Sequence, residues 1–157
     1  MELTELPFPT PGVVYRSAMP YSAYDLEGRL VSEYQNLEIS TVIMLSSDEE
    51  NQRITGKDLR ALYRRESLDV IYFPISDFST PEIGALREIV HKALNLSRIG
   101  KGIVIHCHAG IGRTGMFVAC MAKDGLEYSS EEAIRWIREY IPGAIEIPEQ
   151  EMMVRSF

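Results

Sequence analysis

The side chains best suited to chemistry lie in one ten-residue segment of the C-terminal half. It reads His106-Cys107-His108-Ala109-Gly110-Ile111-Gly112-Arg113-Thr114-Gly115 and joins a predicted strand to a predicted helix. A cysteine and an arginine six positions apart are weak evidence alone. Glycine at three set positions and a hydroxyl beside the arginine lower the chance of the pattern, from the chain's own composition, to roughly 6 × 10⁻⁶. The segment is therefore predicted to be functional.

These residue types suit the binding and attack of a phosphate. The backbone N–H groups of a glycine-rich turn can converge on an anion at the positive end of the following helix. The same field stabilises a thiolate, which makes Cys107 the predicted nucleophile. The planar guanidinium of Arg113 can hold two phosphate oxygens at once, and Thr114 is placed to hydrogen-bond the thiolate. The predicted substrate-binding residues are His108, Ala109, Gly110, Ile111, Gly112 and Arg113.

The segment resembles the signature loop of the cysteine-based protein phosphatases, the tyrosine and dual-specificity family. The match covers His106, Cys107, Gly110, Gly112, Arg113 and Thr114. Residues 15–20 look like the opening strand of the small dual-specificity enzymes, and residues 142–146 with Gln150 look like their closing segment. The resemblance implies hydrolysis of phosphotyrosine, and also of phosphoserine and phosphothreonine, in proteins or peptides. It implies a phosphocysteine intermediate on Cys107, with neither a metal nor another cofactor.

That mechanism needs a proton donor for the leaving group. Asp77 follows a predicted strand and precedes Cys107 by 30 residues, which resembles the general-acid loop of the family. Such an aspartate can give a proton to the leaving group and later take one from the attacking water. Asp48 and Asp69 are alternatives for this role. Gln150 resembles the glutamine that positions water in several family members.

Other functions on the same residues stay open. One alternative is a phosphate-binding or phosphopeptide-binding module without turnover. Another is a phosphoinositide or RNA 5′-phosphatase. Members of the family it resembles that act on inositol phospholipids often carry a lysine in the loop, whereas the variable positions here are His108, Ala109 and Ile111, so the resemblance favours protein substrates. Thiol chemistry of the rhodanese kind would explain neither Thr114 nor Asp77.

Several other reactive or charged residues have a simpler interpretation. Cys120 lies in an apolar helix and is expected to be core. No second Cys/His cluster accompanies the histidines beside Cys107, so no metal site is expected. The acidic run 48–50 is expected to be a solvated face. We expect the solvent-exposed face of a helix to carry Arg60, Arg64 and Arg65; the alternative is that they dock an acidic phosphopeptide.

The composition restricts the classes of protein that fit. The chain has 157 residues, a net charge of −7 and 2 cysteines, so a disulfide scaffold and broad affinity for nucleic acid are not expected. No apolar stretch is long enough to span a membrane, and the acidic N-terminus lacks the features of a signal peptide. The prediction is one cysteine-phosphatase-like catalytic domain over 1–157, cytoplasmic and monomeric, with no membrane association.

The elements that must position these residues alternate between strand and helix. This alternation predicts an α/β fold with a mostly parallel central sheet of about 4–5 strands and helices on both faces. The predicted strands are 13–16, 41–45, 69–75 and 103–106. The predicted helices cover 22–37, a segment capped by Thr55, 80–97, 116–122, 129–140 and a short segment from Pro148.

Overall fold

The computed structural model describes residues 3–157, which form one five-stranded sheet with the strand order β1-β2-β5-β3-β4. Strand β1 pairs with β2 in the antiparallel direction, and the other three pairings are parallel. This confirms the predicted α/β fold and its mostly parallel sheet. The strands are β1 (Leu3–Leu6), β2 (Val14–Ser17), β3 (Ile39–Met44), β4 (Asp69–Tyr72) and β5 (Gly102–His106).

Seven helices of the described chain cover both faces of this sheet. The central strands bury both of their faces: Ile103 and Ile105 of β5 belong to one apolar core, and Val104 belongs to the other. The larger core contains residues of α4 to α7, and the smaller contains residues of α1 and α3. The helices are α1 (Arg29–Asn36), α2 (Asp48–Thr55), α3 (Leu59–Arg65), α4 (Ile83–Arg98), α5 (Gly112–Gly125), α6 (Ser130–Tyr140) and α7 (Pro148–Ser156).

The second half of the chain follows its local signals closely. The capping box of Ser129 and Glu132 is present at the start of α6, and α7 begins at Pro148 as predicted. Every residue of α5 from Gly112 to Ala122 is buried, which confirms a helix packed on most sides. Strand β1, at the edge of the sheet, was not predicted.

Three helix starts differ from their predictions because side chains elsewhere cap the free N–H groups. Thr55 ends α2 instead of capping the next helix, and Asp58 caps α3 by accepting the N–H of Ala61 at 3.1 Å. The predicted helix over 22–37 begins only at Arg29, because the Asp25 carboxylate accepts the N–H groups of residues 29 and 30. Helix α4 begins after Glu82, whose carboxylate caps it, and not at Pro81.

The described chain contains no helix that is both long and apolar enough to cross a bilayer.

Candidate active site

The loop between β5 and α5 lies at the carboxyl edge of the parallel strands, where α/β folds commonly bind ligands. Neighbouring groups hold its carbonyls from outside. Arg16 of β2 donates from Nε and Nη2 to the carbonyl of Gly110 at 3.1 and 2.8 Å, and from Nη2 to that of Ala109 at 3.3 Å. The N–H of Met19 donates to the carbonyl of His108 at 2.8 Å. Fixing three successive carbonyls in this way leaves the N–H groups of the loop available to an anion.

Gly110 is the position in this loop where a side chain fits worst. Its φ of +77° lies in the left-handed region, and a Cβ there would lie 2.4 Å from the carbonyl oxygen of Ser17. Because that neighbour is backbone of β2, it cannot move aside without disturbing the sheet. The glycine therefore allows the loop to pack directly on the adjacent strand.

His106 fixes the start of the loop from inside the core. Burial lowers its pKa from 6.5 to about 4, so the ring is neutral near pH 7. Its Nδ1 lies 3.0 Å from the carbonyl oxygen of Cys107 and must donate, since a carbonyl only accepts. Nε2 then accepts from the hydroxyl of Tyr63 at 2.8 Å. Tyr63, on α3, thus selects the tautomer that holds the Cys107 carbonyl.

The predicted nucleophile sits at the floor of the loop. Cys107 is buried, and the hydroxyl of Thr114 donates to its Sγ at 3.1 Å. Helix α5 starts at Gly112 after Ile111 with no side chain capping its first N–H groups. The sulfur therefore lies beside the unsatisfied, positive end of a helix, where a thiolate and a phosphate are both stabilised.

Arg113 is buried beside this cysteine and held by a bidentate ion pair. Its Nη1 and Nη2 each lie 2.8 Å from an oxygen of Glu50, and Nη1 also donates to the carbonyl of Ile75 at 2.8 Å. Burial alone would lower the pKa of Arg113, but the hydrogen bonds and charge of Glu50, together with Cys107 and Asp77, outweigh it and raise the pKa. Nε is buried and has no acceptor within residues 3–157. The guanidinium is thus oriented in advance, with a donor left for a ligand.

Glu50 is a site residue that the sequence interpretation missed. The run 48–50 was expected to be solvated, but Glu50 is buried in the first turn of α2. Burial raises the pKa of Glu50, and the hydrogen bonds and charge of Arg113 outweigh that effect and hold the pKa below 4.5. The available signal was Ser47, three positions before Glu50, because this spacing predicts a helix start. A helix that starts directly after β3 begins at the carboxyl edge of the sheet, beside the loop.

A buried polar contact fixes α2 in this position. Asn51 accepts from the hydroxyl of Ser46 at 2.6 Å and donates from Nδ2 to the sulfur of Met44 at 3.3 Å. Both partners belong to the end of β3 and the turn after it. The helix that carries Glu50 is therefore tied to the sheet by the residue next to Glu50.

The structure brings Asp77, but neither of its alternatives, to the loop. One Oδ of Asp77 lies 3.3 Å from Nη2 of Arg113 and accepts the N–H of Phe78 at 3.0 Å, and its side chain is 44% exposed. Asp48 instead binds Arg60 on α3, whose guanidinium also stacks 3.9 Å from the ring centre of Tyr72. Asp69 starts β4 and so lies at the opposite edge of the sheet.

His108 and two carboxylates form the one cluster in the described chain whose spacing could suit a metal. Ligand atoms of Glu50, Asp77 and His108 lie within 4.8 Å of one another. Both carboxylates contact the guanidinium of Arg113, so a cationic group already neutralises them. On its other side, His108 meets the ring of Tyr24 edge-on at 5.7 Å.

The remaining predicted residues have clear positions. Gln150 is buried on α7, and its Oε1 accepts the N–H of Glu146 at 3.0 Å. Cys120 is buried in α5, as expected for core, and burial raises its pKa to about 12. The sheet order and helix packing bring the signature loop, Asp77 and the segment before Gln150 to one edge of the molecule.

Comparison with known proteins agrees with this arrangement. Residues 28–126 match the family described as "Polymorphic toxin system, DSP-PTPase phosphatase". The chain is 35% identical over 85 residues to mouse dual specificity protein phosphatase CDC14B, covering 54% of this chain and 16% of that protein. It is 38% identical over 78 residues to human CDC14A, covering 49% and 12%. The chain thus spans less than a fifth of either relative.

Solved structures extend the likeness to nearly the whole chain. The active form of Tk-PTP has 28% identity and a TM-score of 0.78, covering 91% of this chain and 89% of that one. The kinase-associated phosphatase shares the fold with a TM-score of 0.90 at 20% identity, covering 100% and 93%. With the loop geometry, these matches show that the chain belongs to the DSP-PTPase family of cysteine-based protein phosphatases.

Proposed function

We propose that this chain is a metal-independent protein phosphatase that hydrolyses phosphotyrosine, and also phosphoserine and phosphothreonine, through a phosphocysteine on Cys107. The observation that carries the proposal is the arrangement at the start of α5. Cys107 accepts a hydrogen bond from Thr114 at 3.1 Å, beside an Arg113 guanidinium that Glu50 holds in a bidentate ion pair. A nucleophile, an anion-binding helix end and a fixed cation thus meet on one short loop.

The first half-reaction transfers the phosphoryl group to sulfur. The thiolate attacks phosphorus while the loop N–H groups and Arg113 hold the equatorial oxygens, and the bond from phosphorus to the leaving oxygen breaks. Asp77 supplies the proton that the leaving oxygen takes. Since Asp77 lies 3.3 Å from Arg113, the incoming phosphate competes for that guanidinium and displaces the Asp77 side chain, which takes a proton from solvent and then faces the leaving oxygen.

The second half-reaction returns the enzyme to its starting state. Water attacks phosphorus, a carboxylate at the loop takes its proton, the bond between phosphorus and sulfur breaks, and Sγ of Cys107 leaves as a thiolate. The hydroxyl of Thr114, 3.1 Å away, stabilises the negative charge that returns to sulfur. Gln150 acts in this step indirectly, because its Oε1 accepts the N–H of Glu146 and so fixes the segment before α7.

The rim of the site favours an aromatic phosphoester in a protein. Tyr24, which contacts His108, and Phe78, which follows Asp77, are 47% and 60% exposed. An aryl ring placed between such side chains gains stacking worth about 0.5–1.5 kcal/mol. The net charge of −7 disfavours an anionic membrane as the source of substrate. We also propose that residues 1–157 act as one catalytic domain, monomeric and cytoplasmic.

A panel of substrates tests this proposal. Phosphate release is measured from peptides of one sequence that carry phosphotyrosine, phosphothreonine or phosphoserine, and from a phosphoinositide in micelles. The expected order has phosphotyrosine first, with the phosphoinositide slowest. Faster release from the phosphoinositide would contradict the assignment of a protein substrate. The C107S variant, run beside each substrate, measures the background.

A further inference from the structure

The segment between α6 and α7 places a third carboxylate, in addition to those of Glu50 and Asp77, against the signature loop. A Cβ built on Gly112 would lie 2.4 Å from Oε1 of Glu146, so this carboxylate occupies the space over the Cα of Gly112. Gly112 is the first residue of α5 and the neighbour of Arg113. Glu146 itself is exposed to solvent. A free carboxylate thus reaches the loop from the α7 side, whereas Asp77 reaches it from the loop that precedes α4.

The backbone that carries Glu146 is held in a costly conformation. Ile145 has a φ of +64°, which is unfavourable for a β-branched residue by roughly 1–2 kcal/mol. Arg138 of α6 stabilises it by donating to the carbonyls of Ala144 and Ile145 at 3.0 and 3.4 Å. Strain kept in place by neighbouring contacts commonly occurs where a side chain must be aimed. Here the residue aimed by the strained turn is Glu146.

Gln150 fixes the same turn from the other side. It is buried, and its amide oxygen accepts the N–H of Glu146 at 3.0 Å. Because an amide oxygen is not basic near neutral pH, whereas a carboxylate is, Glu146 is the better acceptor for the proton of an attacking water. Gln150 is therefore a positioning residue for Glu146.

Besides Glu50, which is committed to Arg113, two carboxylates reach the loop, and they have different partners. Asp77 contacts Arg113 and accepts the N–H of the residue after it. Glu146 has no cation within 4.0 Å among residues 3–157. Its oxygens are thus not committed to an ion pair and remain available to accept a proton from water.

We propose that Glu146 is a second catalytic acid–base residue, and that it takes the proton of the attacking water during hydrolysis of the phosphocysteine, in place of Asp77, to which the family resemblance assigns this step. The water oxygen bonds to phosphorus, the phosphorus–sulfur bond breaks, its electron pair returns to Sγ of Cys107, and the water proton passes to the Glu146 carboxylate. Asp77, which gave its proton to the leaving oxygen in the first step, regains one from solvent, and Glu146 loses one there. Both side chains reach solvent, so this exchange resets the site. The inference rests on the proposed phosphocysteine mechanism.

The test is pre-steady-state hydrolysis of an aryl phosphate by the E146Q variant. Glutamine keeps the size of the side chain and the backbone N–H that Gln150 binds, but it accepts no proton. We expect a rapid burst of about one aryl alcohol per enzyme, followed by a steady-state rate roughly 10²-fold below wild type. Phosphorylated Cys107 should accumulate and be seen as an 80 Da increase in mass after acid quench, where 80 Da is about the mass of an added HPO₃ group.

Two variants serve as controls. E149Q changes an exposed glutamate at the start of α7, outside the site, and should show wild-type kinetics. Q150A should show the same burst with a smaller loss of steady-state rate, because it loosens the turn but leaves the carboxylate. A purely structural role for Glu146 would slow both steps and leave no phosphorylated enzyme.

Each other outcome is decisive. Wild-type turnover in E146Q overturns the inference and leaves the phosphatase proposal intact. Slowing without a burst, greatest for poor leaving groups, would place Glu146 in the first step and overturn the assignment to water. Absence of turnover in the wild-type protein would instead overturn the proposed function itself.

Discussion

Mild acid should destabilise this protein through one buried histidine. Burial lowers the pKa of His106 from 6.5 to about 4, so between these values the unfolded chain binds a proton that the folded chain does not. Because the unfolded state holds more protons, stability falls as the pH falls. The two pKa values give a loss of about 2 kcal/mol between pH 7 and pH 5, and of about 3 kcal/mol below pH 4.

Urea unfolding at pH 7 and pH 5, followed by the fluorescence of Trp136, measures this loss. The H106N variant removes the titrating ring, so its free energy of unfolding should fall by about 2 kcal/mol less than that of wild type over the interval. Glu50 does not interfere, because its pKa is held below 4.5 and its stabilising contribution is lost only at lower pH.

The H91N variant is the matched control. His91 is exposed and pairs with Asp124 at 2.8 Å, and an exposed pair is worth at most about 1 kcal/mol. H91N should therefore retain most of the wild-type dependence on pH. An equal loss of stability in wild type and H106N would refute the assignment of a neutral, buried His106.

Four further predictions concern the site directly. D77N should slow poor leaving groups most and remove the alkaline limb of the pH–rate profile, and the same effect from D48N instead would contradict the role of Asp77. R113K should raise KM and lower kcat, because one ammonium cannot hold Glu50 and phosphate in two bidentate contacts; unchanged kinetics would exclude that geometry. E50Q should lower the free energy of unfolding, measured by urea titration, by about 3 kcal/mol, since it leaves Arg113 buried without its counter-ion; an unchanged free energy would contradict this role of Glu50. G110A should weaken phosphate binding at least tenfold in calorimetry, because its Cβ would lie 2.4 Å from the Ser17 carbonyl; wild-type affinity would show that the loop adapts.

The parts of this site that sequence could predict are those encoded locally. The order of residues from His106 to Thr114 specifies a loop, a nucleophile and an arginine without reference to the rest of the chain. Strand β5 and helix α5, which hold that loop, have apolar patterns that are equally local. The predicted fold was confirmed for these elements because a strand that is apolar on both faces must lie inside a sheet that helices cover on both sides.

The contacts that position the loop come from distant parts of the chain. Glu50 meets Arg113 across 63 positions, Tyr63 meets His106 across 43, and Arg16 meets Gly110 across 94. A sequence gives no reason to expect a particular glutamate, tyrosine or arginine to be buried. Only the order of strands in the sheet shows that Glu50, Tyr63 and Arg16 are buried near the loop. The same holds for Glu146, whose place depends on a strained turn that no local propensity favours.

Capping explains the errors at the helix starts. A carboxylate can satisfy N–H groups four or five positions away, as Asp25 does for Arg29 and Leu30. Apolar spacing alone therefore overestimates the length of α1. In the same way, a hydroxyl such as that of Thr55 can end a helix, where its Oγ1 donates to the carbonyl of Asn51 at 2.7 Å.

The most direct test of the central claim is hydrolysis of an aryl phosphate by purified protein in excess chelator, beside the C107S variant. The arrangement of Cys107, Thr114 and Arg113 predicts turnover by the wild-type protein alone, with phosphate still bound by C107S. Turnover that persists in C107S, or that needs an added metal, would contradict the cysteine mechanism. Phosphate binding without turnover by the wild-type protein would make the chain a binding module.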